Sequence, residues 1–134
     1  MTSKKFLLVV AVMLAFAMTA SAHHSFAGTG IYIEGKIVAL EGKVVEFDIR
    51  NPHSFLNFEV TDKNGKTTRW AGEWGSVTQL VEGGVTRFVI KPGDTVIVEG
   101  APSLDTTHRR ILVRSVVRPA TGTAPEFKWT GRVR

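Results

Sequence analysis

Four histidines and no cysteine set the chemistry open to this chain. His23 and His24 follow Ala20-Ser21-Ala22. Small residues at the first and third places of that triplet are what a signal peptidase cuts after, so His23 is expected to begin the exported protein. Its α-amine and imidazole Nδ1 could then close a chelate ring on one metal ion. The amine titrates near about 7.7–8 and an imidazole near about 6.5, so both lose a proton around neutrality. A nitrogen-rich, tetragonal donor set suits Cu(II), the tightest binder of the first-row divalent series. His24 could add a third nitrogen. The plainer alternative is two solvated side chains that merely suit the peptidase.

His53 follows Pro52 at the entrance to a β-rich run, where the proline fixes the chain direction and aims the ring. It could meet the mature terminus, or bond a backbone carbonyl at a strand end. His108, among Thr107, Arg109 and Arg110, reads as a solvated loop residue. The second dense stretch is Trp70-Ala71-Gly72-Glu73-Trp74. Glu73 could ligate a metal, orient a metal-bound histidine from the outer shell, or place a negative charge at the start of the helix that follows. Phe55, Trp70 and Trp74 could form an aromatic face of the kind that binds sugars or oligonucleotides, or fill the core. The serines lie in no nucleophile-elbow context and there is no phosphate loop, so an enzyme is not expected.

These residues need a scaffold. Lys4 and Lys5, the apolar run Phe6 to Ala17 and the cleavage triplet make residues 1–22 a signal peptide, with a run too short to span a bilayer. Its removal leaves 112 residues, one small domain without a transmembrane segment. Fifteen basic residues then face twelve acidic ones, and a balance of +3 is no footprint for nucleic acid. Without cysteine, a fold in an oxidising compartment must rest on its own core.

Strands are expected at Ile31 to Leu40, Lys43 to Arg50, Ser54 to Thr61 and Lys66 to Ala71, with turns at Glu41-Gly42 and Asp62-Lys63-Asn64-Gly65. Val45, Phe47 and Ile49 share one face, and Leu56, Phe58 and Val60 are the core face of their strand. Asn64-Gly65 suits a type I′ turn. Gly75 to Gly83 is the one helix, capped by Ser76 with Gln79 as capping-box partner and stopped by Gly83-Gly84. Val85 to Ile90 is expected to be extended. Lys91-Pro92-Gly93-Asp94 is a turn with glycine where φ is positive. Thr95 to Gly100 and Arg109 to Arg118 are the last strands, and residues 119–134 a tail. The fold class is all-β with one short helix, a small OB-fold-like five-stranded Greek-key barrel of order β-β-β-α-β-β over residues 23–118.

Ala22-His23-His24-Ser25-Phe26, Asn51-Pro52-His53, Trp70 with Glu73, the Lys91-Pro92-Gly93-Asp94 turn and Val96-x-Val98-x-Gly100 together resemble a bacterial family of small exported proteins, a domain of unknown function. The resemblance runs from His23 to about Val117. It implies a secreted or periplasmic β-barrel with no established activity, and it marks His23, His24, His53, Trp70 and Glu73 as the positions to inspect. Two functions are expected in competition. One is non-catalytic binding of Cu(II) by His23, His24 and His53 with Glu73. The other is a metal-free module that contacts a periplasmic protein, a glycan or an envelope component through Phe55, Trp70 and Trp74. Mass spectrometry of the exported protein should find a chain that starts at His23; a chain that retains Met1 would remove the terminal chelate.

Overall fold

The computed structural model describes residues 31–131; the expected signal peptide, His23 and His24 lie outside them. The strands are Val38–Asp48 (β1), Phe55–Thr61 (β2), Thr67–Glu73 (β3), Thr95–Pro102 (β4), Arg110–Arg118 (β5) and Phe127–Thr130 (β6). A helix, Val77–Glu82 (α1), lies between β3 and β4. Strand order is β3-β2-β1-β4-β5-β6. β3 also pairs in parallel with β5 through Ala71↔Arg110, Gly72↔Ile111 and Glu73↔Leu112. That pairing closes β1 to β5 into a five-stranded barrel, with strands and helix in the expected OB-fold order. Among the described residues no helix is long and apolar enough to cross a membrane.

β1 differs from expectation and shows why. Glu41-Gly42 is not a turn but the middle of one continuous strand. Its first half pairs with β4 (Val38↔Gly100 to Lys43↔Thr95) and its second half with β2 (Lys43↔Glu59 to Asp48↔Phe55). Gly42 lies where β1 passes from one partner to the other. A Cβ there would stand 2.5 Å from the Glu59 carbonyl oxygen and 2.8 Å from the Phe58 ring. The glycine therefore serves close backbone approach, which a local reading cannot tell from a turn. A bulge between Val44 and Glu46 then shifts the alternation by one. Val44 is buried, and Phe47 and Ile49 pack against the core from the same side, while Val45 is displaced from it.

The interior is apolar, with Leu56, Phe58, Val96, Val98, Ile111, Val113 and Val116 wholly buried. Each contributes about 1.5–3 kcal/mol by leaving water. The hairpin at 62–66 stands where expected, but only Gly65 has positive φ, so the turn is not type I′. The Asp62 carboxylate accepts from the amides of Asn64 and Lys66 and holds the loop without a left-handed asparagine. The Lys91–Asp94 turn has the expected positive φ at Gly93. Helix α1 carries the full Ser76–Gln79 capping box and buries Leu80, while Val81 is exposed. Residues 85–90 form turns rather than a strand, and Val85 and Ile90 plug the core from that loop. The segment read as a tail contributes β6, whose Trp129 meets Trp74 edge-on at 5.0 Å.

Gly100 stands opposite a bulge in β5, where Arg114 is the extra residue, and a Cβ at Gly100 would lie 2.0 Å from the Leu112 carbonyl oxygen. Gly100→Ala should lower stability by about 1–3 kcal/mol by overpacking, read as a lower denaturant midpoint. Gly122→Ala, which meets nothing within 4 Å, should leave the midpoint unchanged. Equal midpoints in the two variants would contradict the β4–β5 packing.

Candidate functional site

Three segments converge at the β3–β5 seam. The first is the chain before β1. The Ile33 amide donates to the Pro102 carbonyl at 2.9 Å, and the Leu104 amide donates to the Ile31 carbonyl at 2.9 Å. This short ladder, with Tyr32 bridged to Ser103, fixes Tyr32 beside the barrel. The second is the end of β3, which supplies Glu73. The third is the β1–β2 loop. Ser54 anchors it, its amide donating to the Gly75 carbonyl at 3.0 Å and its carbonyl accepting from the Trp74 amide at 2.8 Å. The Asn51 side-chain oxygen accepts from the Val77 amide at 3.1 Å, tying the loop to the start of α1. Asn51–Pro52 is a cis peptide. His53 follows at once, aimed at Glu73.

Glu73 is only 6% exposed. A buried carboxylate needs hydrogen-bond partners, or its lost hydration is uncompensated. The Tyr32 hydroxyl donates to Oε2, and His53 Nδ1 lies 2.5 Å from Oε1. Both carboxylate oxygens are thus engaged. Glu73 holds the Tyr32 hydroxyl and the His53 ring in place. It ends β3, ahead of the first turn of α1, which contains no acidic residue. Burial, the hydrogen bond to Glu73 and the negative charge of Glu73 push the Tyr32 phenol well above its usual pKa, while nearby Arg110 pulls the other way.

His53 and Glu73 line a cleft of about 360 Å³ together with Arg50, Asn51, Pro52, Phe55 and Arg110. Phe55 is half-buried, with the guanidinium of Arg50 at 5.2 Å and that of Arg110 at 5.6 Å from its ring centre. The three aromatic residues expected on one face do not share one. Trp74 is completely buried, stacked on Phe47, because it continues β3 into the base of the barrel. Phe55 pairs across the strands with Glu73 and Phe58 with Trp70, so Phe55 and Trp70 belong to alternate faces. Trp70 instead borders a second cleft, with the Arg109 guanidinium 5.7 Å from its ring. His108 is an exposed loop residue, its Nδ1 3.0 Å from Asp105 Oδ2.

Among the described residues no three His, Asp or Glu side chains gather as a metal site. His53 and Glu73 supply one oriented imidazole, and further ligands would have to come from His23 and His24. Sequence reasoning missed Tyr32 and Arg110. Tyr32 stands 41 residues from its partner in the chain, and no local signal marks such a contact. Residues 11–111 match a family of unknown function (DUF6152). No curated protein matches the chain.

Tyr32 is the single tyrosine of the chain, so its ionisation can be read by absorbance. A raised pKa means that the folded protein keeps this proton after the unfolded chain has lost it. The stabilisation is complete below about pH 10 and fades as pH climbs beyond that value. Native tyrosinate absorbance should therefore develop well above pH 10, and in denaturant close to 10. Tyr32→Phe should lower stability at neutral pH by about 1.5–3 kcal/mol, the loss of a hydrogen bond to a buried charge. A native phenol that titrates like the unfolded one would contradict its burial against Glu73.

Proposed function

The chain belongs to the DUF6152 family, and we propose that it is an exported, non-catalytic protein that binds a divalent metal, Cu(II) first, in the periplasm. The ligands would be the amine and imidazole of His23 after signal cleavage, His53 through Nε2, and His24. Nucleic acid has no part in this reading, given the small net charge of the mature chain.

One observation carries the proposal: His53 is held through Nδ1 by a buried carboxylate that is itself held by Tyr32. A carboxylate behind a histidine fixes the ring and its tautomer and raises the basicity of the other nitrogen, and such partners are typical of metal-binding histidines. Tyr32 also ties the chain nine residues after His23 to the same carboxylate. Nine residues reach at most about 30 Å, so the tether permits the mature terminus to return to His53. A second reading, a binding module without metal, is favoured by the arginines stacked on Phe55 in the same cleft.

The test is Cu(II) titration of the mature protein, purified from the periplasm and read by calorimetry and electron paramagnetic resonance. One copper per chain with nitrogen hyperfine lines is expected. His53→Ala and one residue added before His23 should each weaken binding by orders of magnitude. Glu73→Gln should weaken it about 10–100-fold, as losing such an orienting partner does. Affinity indifferent to all three changes would end the copper reading.

A further inference from the structure

The two clefts share Arg110. The charges around that shared wall are unequal in a way that points to a ligand. Arg50 pairs with Asp48 at 3.1 Å, Arg69 with Glu46 at 3.6 Å and His108 with Asp105 at 3.0 Å. Arg109 and Arg110, both exposed, pair with no carboxylate among the described residues. Each is nevertheless positioned, Arg110 over Phe55 and beside Tyr32, and Arg109 over Trp70. Stacking on a ring spares a guanidinium part of the entropy of ordering and leaves its N–H edge available to a planar oxyanion.

We infer that the Arg109–Arg110 wall binds the carboxylate or phosphate group of a small organic anion, with the body of the ligand lying in one of the adjoining clefts. Each cleft holds about 360 Å³, within the range of small-molecule sites. The framing carboxylates decide between a small anion and an extended one. Asp48, Glu46 and Asp105 sit on the arginines and histidine that border the wall. A polyanion laid across both clefts would meet all three, whereas a single oxyanion on the wall avoids them. This inference gives a ligand class to the metal-free reading and is independent of copper.

The test uses the mature protein in EDTA, with galacturonate as carboxylate probe, inorganic phosphate as phosphate probe and galactose as neutral control. Binding is followed by amide and indole chemical shifts. Galacturonate or phosphate should bind at least about tenfold more tightly than galactose, and the tighter of the two identifies the source of the oxyanion. Arg110→Gln should cost tenfold or more while the denaturant midpoint stays unchanged. Arg110→Lys should recover only part of it, because an ammonium lacks the planar fork. Arg109→Gln supplies an independent variant, remote from Tyr32. Galactose binding as tightly as galacturonate and phosphate would overturn the oxyanion class and leave the metal-free module standing. Anion binding that Arg109→Gln and Arg110→Gln both leave intact would overturn the assignment to this wall. No binding by any of the three probes would overturn the inference.

Discussion

Barrel closure rests on three residue pairs. Ala71, Gly72 and Glu73 meet Arg110, Ile111 and Leu112 in parallel, and without them β3 would be an unpaired edge with its backbone groups open to water. The same short seam borders the candidate site. Its middle residues are small or apolar and complete the interior. Its outer residues, Glu73 and Arg110, face the cleft beside His53. The scaffold's need for closure thus fixes two side chains of the candidate site on hydrogen-bonded backbone, where their positions tolerate little drift. A site assembled on loops alone would lack that rigidity.

Glu73 shows how a structural demand shapes the candidate site. A carboxylate at 6% exposure has to be compensated locally, since leaving a charge unpaired in such a place costs several kcal/mol. The fold compensates it twice, with a phenol delivered by the chain before β1 and an imidazole delivered by the β1–β2 loop. Each donor comes from a segment with its own backbone anchors, at Pro102 and Ser103 for one and at Gly75 and Val77 for the other. The three-part network therefore cross-links regions that the sheet alone does not join. It sets the direction of the His53 ring as a by-product of satisfying a buried charge.

The glycines of the barrel mark the other constraint. Gly42 and Gly100 stand where two backbones come closer than any side chain permits. Both lie at irregular points of the sheet, Gly42 where β1 changes partners and Gly100 opposite the bulge in β5. Curvature of this kind lets five strands of modest length close on one small core. Trp74 then fills the base, against Phe47 and Trp129, although its indole N–H finds no acceptor among the described residues. A net cost of order 1–3 kcal/mol for that orphan donor is outweighed by the apolar area that so large a side chain buries.

Local features were legible in the residues themselves. Alternation in Leu56, Phe58 and Val60, the Ser76–Gln79 capping box and the positive φ at Gly93 follow from steric rules acting within a few residues, so short stretches of sequence suffice to read them. The strand–helix order followed from these, and with it the barrel. Glu73 and His53 stood out because a carboxylate between tryptophans and a histidine after proline are uncommon surroundings. Tertiary structure alone decided the rest. Glu41-Gly42 carries the same letters whether the chain turns or a neighbouring strand crowds it, and only the Glu59 carbonyl distinguishes the two. Whether Trp74 is a surface ring or a core plug depends on Phe47 and Trp129, which approach from distant strands. Tyr32 becomes the partner of Glu73 only once the barrel has closed, because a contact between residues far apart in the chain leaves no mark in either neighbourhood.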